Sequence, residues 1–120
     1  MKTQSHQVGP NTFTLTSELK ISRLLTGLWQ VADIERKTGP IDREKGADKL
    51  QQYIKSGFNT FDMADHYGTS ELIAGALLKR HAKLDAKPVI CTKWCPEPGP
   101  MTSKIVYAGI EERLRRLGTS

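Results

Sequence analysis

A chain of 120 residues with 38% hydrophobic content has the size of one small domain and enough apolar side chains to close a core, which excludes disorder along its whole length. The formal net charge of +5 favours phosphate-bearing partners only weakly, because Lys and Arg are spread along the chain; the densest group, Arg113, Arg115 and Arg116, reads as solvated helix faces, so no nucleic-acid partner is expected. No window approaches the ~20 apolar residues of a membrane helix and the N-terminus has no apolar stretch fit for a signal peptide, so a cytoplasmic location with no membrane partner is expected.

Residues 1–12 are polar and contain Gly9, Pro10 and Asn11, which predicts a flexible tail ahead of a domain over residues 13–120. Phe13-Thr14-Leu15 alternates weakly as a strand does, and Leu19 to Ile21 can return beside it as a hairpin. The apolar run Leu24 to Val31, with Gly27 inside it, is short, and an interior glycine disfavours helix, so a buried strand is expected there. After a loop carrying Gly39-Pro40, Asp42 to Ser56 has Ala47, Leu50 and Ile54 at three-and-four spacing, acidic residues early and Gly57 just past the end, the pattern of an amphipathic helix.

Phe58 to Met63 reads as the second strand of the core. Ser70 can cap a helix whose Leu72, Ile73, Ala76 and Leu77 share one face up to about Lys83. Val89 to Lys93, preceded by Pro88, is a third strand. The segment Cys95-Pro-Glu-Pro-Gly-Pro100 cannot be regular, and beyond it Thr102 or Ser103 caps a helix with Ile105, Val106, Ile110, Leu114 and Leu117 on one face and Gly118 as its stop.

Strand and helix alternate three times, which predicts an α/β fold with a parallel sheet and crossover helices. Three parallel strands with three helices cover only part of such a sheet, so the chain reads as the opening of something larger. A doubly wound nucleotide-binding module is disfavoured, because neither G-x-G-x-x-G nor G-x-x-x-x-G-K follows any strand.

Cys91 and Cys95 fit neither a redox pair nor a zinc pattern and read as free thiols in a reducing compartment. His6 in the tail, His66 in a turn and His81 on the polar side of a helix do not converge, so no metal is expected.

The chemistry concentrates in Asn59-Thr-Phe-Asp-Met-Ala-Asp-His-Tyr-Gly-Thr-Ser-Glu71 and in Cys91-Thr92-Lys93. Side chains alternate along a strand, so Thr60 and Asp62 share one face, Cys91 and Lys93 another, and Leu25, Gly27 and Trp29 a third. In parallel α/β folds ligands bind at the carboxyl ends of the strands, where Trp29, Asp62 and Lys93 all fall. If the strands are neighbours, Asp62, Tyr67 and Lys93 meet as an acid, a phenol and an amine. These residues equally suit a structural ion pair with a packed tyrosine beside it, although burying such a pair offsets most of its Coulomb gain and so suggests function. Trp29 equally suits a core tryptophan, and Gly27 a place that admits a large neighbour across a barrel.

Asp62-Met-Ala-Asp-His-Tyr-Gly-Thr-Ser-Glu71, with Gly27-Leu28-Trp29 upstream and Cys91-Thr92-Lys93 downstream, resembles the N-terminal part of the aldo-keto reductase family over about Leu19 to Gly118. The resemblance implies that the fold is the N-terminal part of a (β/α)8 TIM barrel, about three strand-helix units plus a hairpin. It implies NAD(P)H-dependent reduction of aldehydes and ketones to alcohols. Tyr67 is then the general acid, Lys93 the ammonium that makes the phenol a stronger acid, and Asp62 the carboxylate that holds Lys93. Trp29 lines the substrate site, and Gly27 and Asp62 lie against the cofactor. The family's fourth catalytic group, a histidine on the next strand, is not His66, and most of its contacts to the cofactor's phosphates and adenine come from later strands. NADPH or NADH is therefore the cofactor of a complete protein, with no tight binding expected of this chain alone, and a small carbonyl compound is the substrate. The alternative is a non-catalytic interaction protein or remnant that self-associates through its unpaired sheet edge.

Overall fold

The computed structural model describes residues 11–31, 39 and 41–120. Thr12–Thr16 (β1) and Leu19–Ser22 (β2) pair antiparallel as the predicted hairpin, with a shift of register between Thr14 and Thr16. The strand thus begins within the stretch expected to be tail; residues 1–10 of that stretch lie outside the described residues.

Ser22 fastens this hairpin to the rest of the chain. Its hydroxyl accepts the backbone N–H groups of Asn59 at 2.8 Å and Thr60 at 3.1 Å and donates to Asn59 Oδ1 at 2.8 Å. Its own N–H donates to the Thr60 hydroxyl at 2.8 Å. Both side chains are buried, so each of these polar groups is satisfied where an unpaired one would be costly.

Thr26–Gly27 (β3), Thr60–Asp62 (β4) and Val89–Cys91 (β5) form a parallel sheet in that order. The register sets Gly27 beside Asp62 and Asp62 beside Cys91. All three strands are shorter than predicted, and the largest departure is at Leu24 to Val31. Only Thr26 and Gly27 join the sheet, Leu24 and Leu25 are exposed, and Trp29–Val31 form a 3-10 turn closed by Val31 N–H to the Leu28 carbonyl. A strand is buried only when neighbours flank it, and among the described residues β3 has one, β4. Leu25, Gly27 and Trp29 therefore do not share a strand face, and Leu28 is the side chain that enters the core.

The helices follow their local signals more closely. Arg43–Lys55 (α1) is capped by the Asp42 carboxylate, which accepts Lys45 N–H at 3.0 Å, and it buries Ala47, Leu50 and Ile54 as the spacing predicts. Ser70–Leu78 (α2) starts one residue earlier than a Ser70 cap requires, with Thr69 in the preceding position. It also ends well before Lys83, because the apolar face stops at Leu78 and the next side chain but one, Arg80, turns to Glu44 and Asp48 of α1. His81–Lys83 then form a separate 3-10 turn.

Ser103–Leu117 (α3) has Thr102 as its cap, with Ile105 N–H donating to the hydroxyl at 3.3 Å, and stops at Gly118, whose φ of 68° is in the left-handed region. Its predicted apolar face is only partly used: Leu117 is buried, whereas Ile105, Val106 and Ile110 remain exposed. The core gathers Leu28, Leu50, Ile54, Phe61, Met63, Ile73, Leu77 and Leu117 between the sheet and the helices. None of the helices among the described residues is long and apolar enough to cross a membrane.

Candidate active site

Beyond β4, Met63 N–H donates to the Cys91 carbonyl at 2.8 Å and Asp65 N–H to the Lys93 carbonyl at 2.9 Å, so the two chains run side by side past the ends of their strands. The chain then folds back through Asp65 to Gly68: Tyr67 N–H donates to the Ala64 carbonyl and Ser70 N–H to the Tyr67 carbonyl. Gly68, with φ at 54°, takes the left-handed conformation that a side chain disfavours and lets α2 start directly behind Tyr67.

This arrangement brings Asp62, Tyr67 and Lys93 together. Lys93 Nζ lies 2.9 Å from Asp62 Oδ1 and 3.0 Å from Oδ2, and 5.7 Å from the centre of the Tyr67 ring. The pair is not the buried one the sequence suggested: the Lys93 and Asp62 side chains are 52% and 41% exposed. They sit on an open rim because β5 has no second neighbour among the described residues. Exposed pairs of this kind contribute only about 0 to 1 kcal/mol, so the arrangement adds little to stability.

Trp29 packs edge to face on Tyr67 with ring centres 4.9 Å apart, and His66 does so from another side at 5.0 Å. The half-exposed indole thus walls the phenol, although it reaches the rim from a helical turn and not from a strand. Among the described residues nothing lies within 4 Å of a Cβ added at Gly27. The end of β3 beside Asp62 therefore has open space in which a flat ring could lie against backbone. Among the described residues no three His, Cys, Asp or Glu side chains come together in a way that could hold a metal ion.

A second group of charges, missed by the sequence reading, lies beneath the rim. Glu71 is fully buried, with side-chain exposure of 0%. Its Oε1 accepts the Thr92 hydroxyl at 2.7 Å and its Oε2 accepts Arg116 Nε at 2.7 Å. Arg113 Nε lies 3.0 Å from Oε1, close enough for an ion pair but not aligned for a hydrogen bond. Arg113 also reaches Asp65 Oδ2 at 3.3 Å, and Arg116 Nη2 donates to the Gly68 carbonyl at 2.7 Å.

Arg113 and Arg116 are therefore not on a solvated face; their side chains are 12% and 19% exposed, and of the three clustered arginines only Arg115 extends into solvent. The available signal was their spacing of three, which puts both on the side of α3 that carries Leu117. Burial works to raise the Asp65 carboxyl, but the Cys95 N–H at 2.8 Å, the His66 ring at 3.0 Å and backbone N–H, and Arg113 together hold it below the usual carboxylate range.

Comparison with known proteins bears on the family and the fold. Residues 23–120 match the sequence model of the Aldo/keto reductase family. The 6-dehydroglucose reductase of Agrobacterium fabrum is 35% identical over 88% of this chain and 39% of its own. A Pseudomonas aeruginosa protein described as an aldo-keto reductase superposes with a TM-score of 0.70 at 24% identity, over 98% of this chain and 48% of its own. An aldo/keto reductase of Brucella melitensis superposes with a TM-score of 0.61 at 20% identity, over 92% of this chain and 37% of its own. The chain thus spans less than half the length of each. Its hairpin and three strand-helix units are the N-terminal part of a (β/α)8 barrel.

Proposed function

This chain belongs to the aldo/keto reductase family, and from that premise we propose that it carries the proton-donating part of an NAD(P)H-dependent reduction of aldehydes and ketones to alcohols. The observation that carries the reading is the clamp of both Asp62 oxygens on Lys93 Nζ, which holds the ammonium beside the Tyr67 ring at the carboxyl ends of neighbouring parallel strands. An amine held there by hydrogen bonds to a carboxylate presents positive charge to a phenol that must become a phenolate.

Tyr67 is the general acid: its phenolic proton passes to the carbonyl oxygen as the carbonyl carbon is reduced, and the resulting phenolate recovers a proton from solvent. Lys93 stabilises that phenolate, and Asp62 keeps Lys93 in place. Trp29 lines the substrate side of the phenol. Gly27 and Asp62 are the residues that would lie against a nicotinamide, and the open space above Gly27 suits that role. When bound, NADPH or NADH supplies the hydride.

We further infer that these residues work within a complete barrel, and that the 120-residue chain alone neither binds NADPH tightly nor turns over. The pure chain mixed with NADPH and a reactive aldehyde is expected to show no loss of NADPH absorbance. Carbonyl-dependent loss, abolished by Tyr67→Phe, would overturn the inactivity of the isolated chain while supporting the assignment. In a longer protein that contains these residues, turnover unimpaired by Tyr67→Phe would sink the assignment itself.

A second reading, association through the sheet edge, is favoured by one observation: β5 has no partner beyond β4 among the described residues, and the Ile105, Val106 and Ile110 face of α3 is exposed. Sedimentation that shifts with concentration supports it, and a monomer at all concentrations removes it.

A further inference from the structure

The buried cluster under the rim grips the chain on both sides of the two residues that meet above it. Tyr67 stands two residues after Asp65, which Arg113 reaches, and directly before Gly68, whose carbonyl Arg116 holds at 2.7 Å. Lys93 is flanked by Thr92, which donates to Glu71 at 2.7 Å, while its own carbonyl accepts Asp65 N–H at 2.9 Å and Cys95 N–H reaches Asp65 at 2.8 Å. These grips converge on one carboxylate. Oε1 of Glu71 takes the β5 side through Thr92, and Oε2 takes the β4 side through Arg116.

We propose that Glu71, acting through Thr92 and Arg116, is the positioning residue that sets the Tyr67 phenol against the Lys93 ammonium. The rim alone does not do this. The Asp62 clamp fixes the amine, whereas the Tyr67 ring packs on one side against the core and on the other meets the rings of Trp29 and His66, both partly open to solvent. A carboxylate with 0% exposure that holds two guanidinium groups and a hydroxyl has nowhere to relax, because any movement leaves a buried charge unpaired. The rigidity of Glu71 is thereby passed, through Arg116, to the Gly68 carbonyl next to Tyr67 and, directly, to the Thr92 side chain next to Lys93. The proposal rests on the reductase reading for the roles of Tyr67 and Lys93, but not for their positions, and the test separates the two.

In the 120-residue chain, the ring resonances of Tyr67 are measured with 13C-labelled tyrosine and assigned against Tyr53 and Tyr107 by Tyr→Phe at each position. Packing against the Trp29 indole displaces the Tyr67 signals from free-tyrosine positions. Thr92→Val removes one hydrogen bond at nearly constant volume and is expected to abolish most of that displacement below the melting transition. Thr92→Ser is expected to restore it, and Glu71→Gln to abolish it where the variant folds by circular dichroism. A purely structural role would lower the melting temperature of Thr92→Val and leave the Tyr67 displacement at its wild-type value, and that result overturns the proposal. Wild-type Tyr67 signals at free-tyrosine positions would overturn it as well. Thr92→Val and Thr92→Ser behaving as stated uphold the positioning, and unimpaired turnover of Tyr67→Phe in a longer protein that contains these residues would then place the fault in the reductase reading alone.

Discussion

Among the described residues, two of the groups of opposite charges lie near the ends of β4 and β5, and they work in different physical regimes. Asp62 and Lys93 lie on the rim with about half of each side chain in water. Glu71, Arg113 and Arg116 lie beneath it, nearly dry. Water screens the upper pair, so it costs little to form and contributes little when formed, and in the proposed function its ammonium is the charge offered to the phenol. The lower cluster has already lost its hydration, so each member depends on the others, and what it provides is geometry more than net stability. On the proposed reading, side chains of the same chemical types supply charge for chemistry in one place and stiffness in the other.

That contrast is broken most easily from below. Glu71→Ala, which leaves two guanidinium groups facing an empty site, is expected to cost about 3 kcal/mol or more in denaturant unfolding; a loss no greater than that of a rim substitution would remove the distinction. A smaller effect belongs to Asp65, which links the two levels. Its carboxyl is held below the usual range, since the Cys95 N–H, the His66 ring and Arg113 outweigh the effect of burial. A depressed carboxyl stabilises the fold above its unfolded pKa and loses that contribution as pH falls through the folded value. Wild-type stability is therefore expected to decline from about pH 4 downward, and Asp65→Asn to decline less over the same range. Parallel acid titrations of the two chains would refute this. The smallest effect is on the rim, where Lys93→Met is expected to change unfolding free energy by no more than about 1 kcal/mol. A larger loss would mean that the rim is structural.

These differences also explain what could be read from the sequence. Helix ends are written locally: Asp42 caps α1 three residues from the N–H it accepts, and Thr102 and Gly118 bracket α3 in the same way. Asp62, Tyr67 and Lys93 could be named because each stands at a fixed offset from an apolar run and together they resemble a known family. Leu24 to Val31 was misread because burial of a strand is decided by its neighbours, which its own residues do not encode. The lower cluster was missed because Glu71 and Arg116 are 45 positions apart. On sequence alone, an arginine that will be buried against a distant carboxylate looks the same as one that will stay in water.

The attachment of the hairpin has a consequence for how the chain opens. β1 is exposed along its whole length, and the links between hairpin and sheet described above converge on Ser22 and the adjoining Asn59 and Thr60. Such a unit is free to detach in a fluctuation that leaves α1, α2 and the parallel strands intact. Amide protons of β1 would then trade with deuterium long before those of Phe61 and Ile73. Ser22 would mark the boundary between a fast-exchanging and a slow-exchanging part of one small fold.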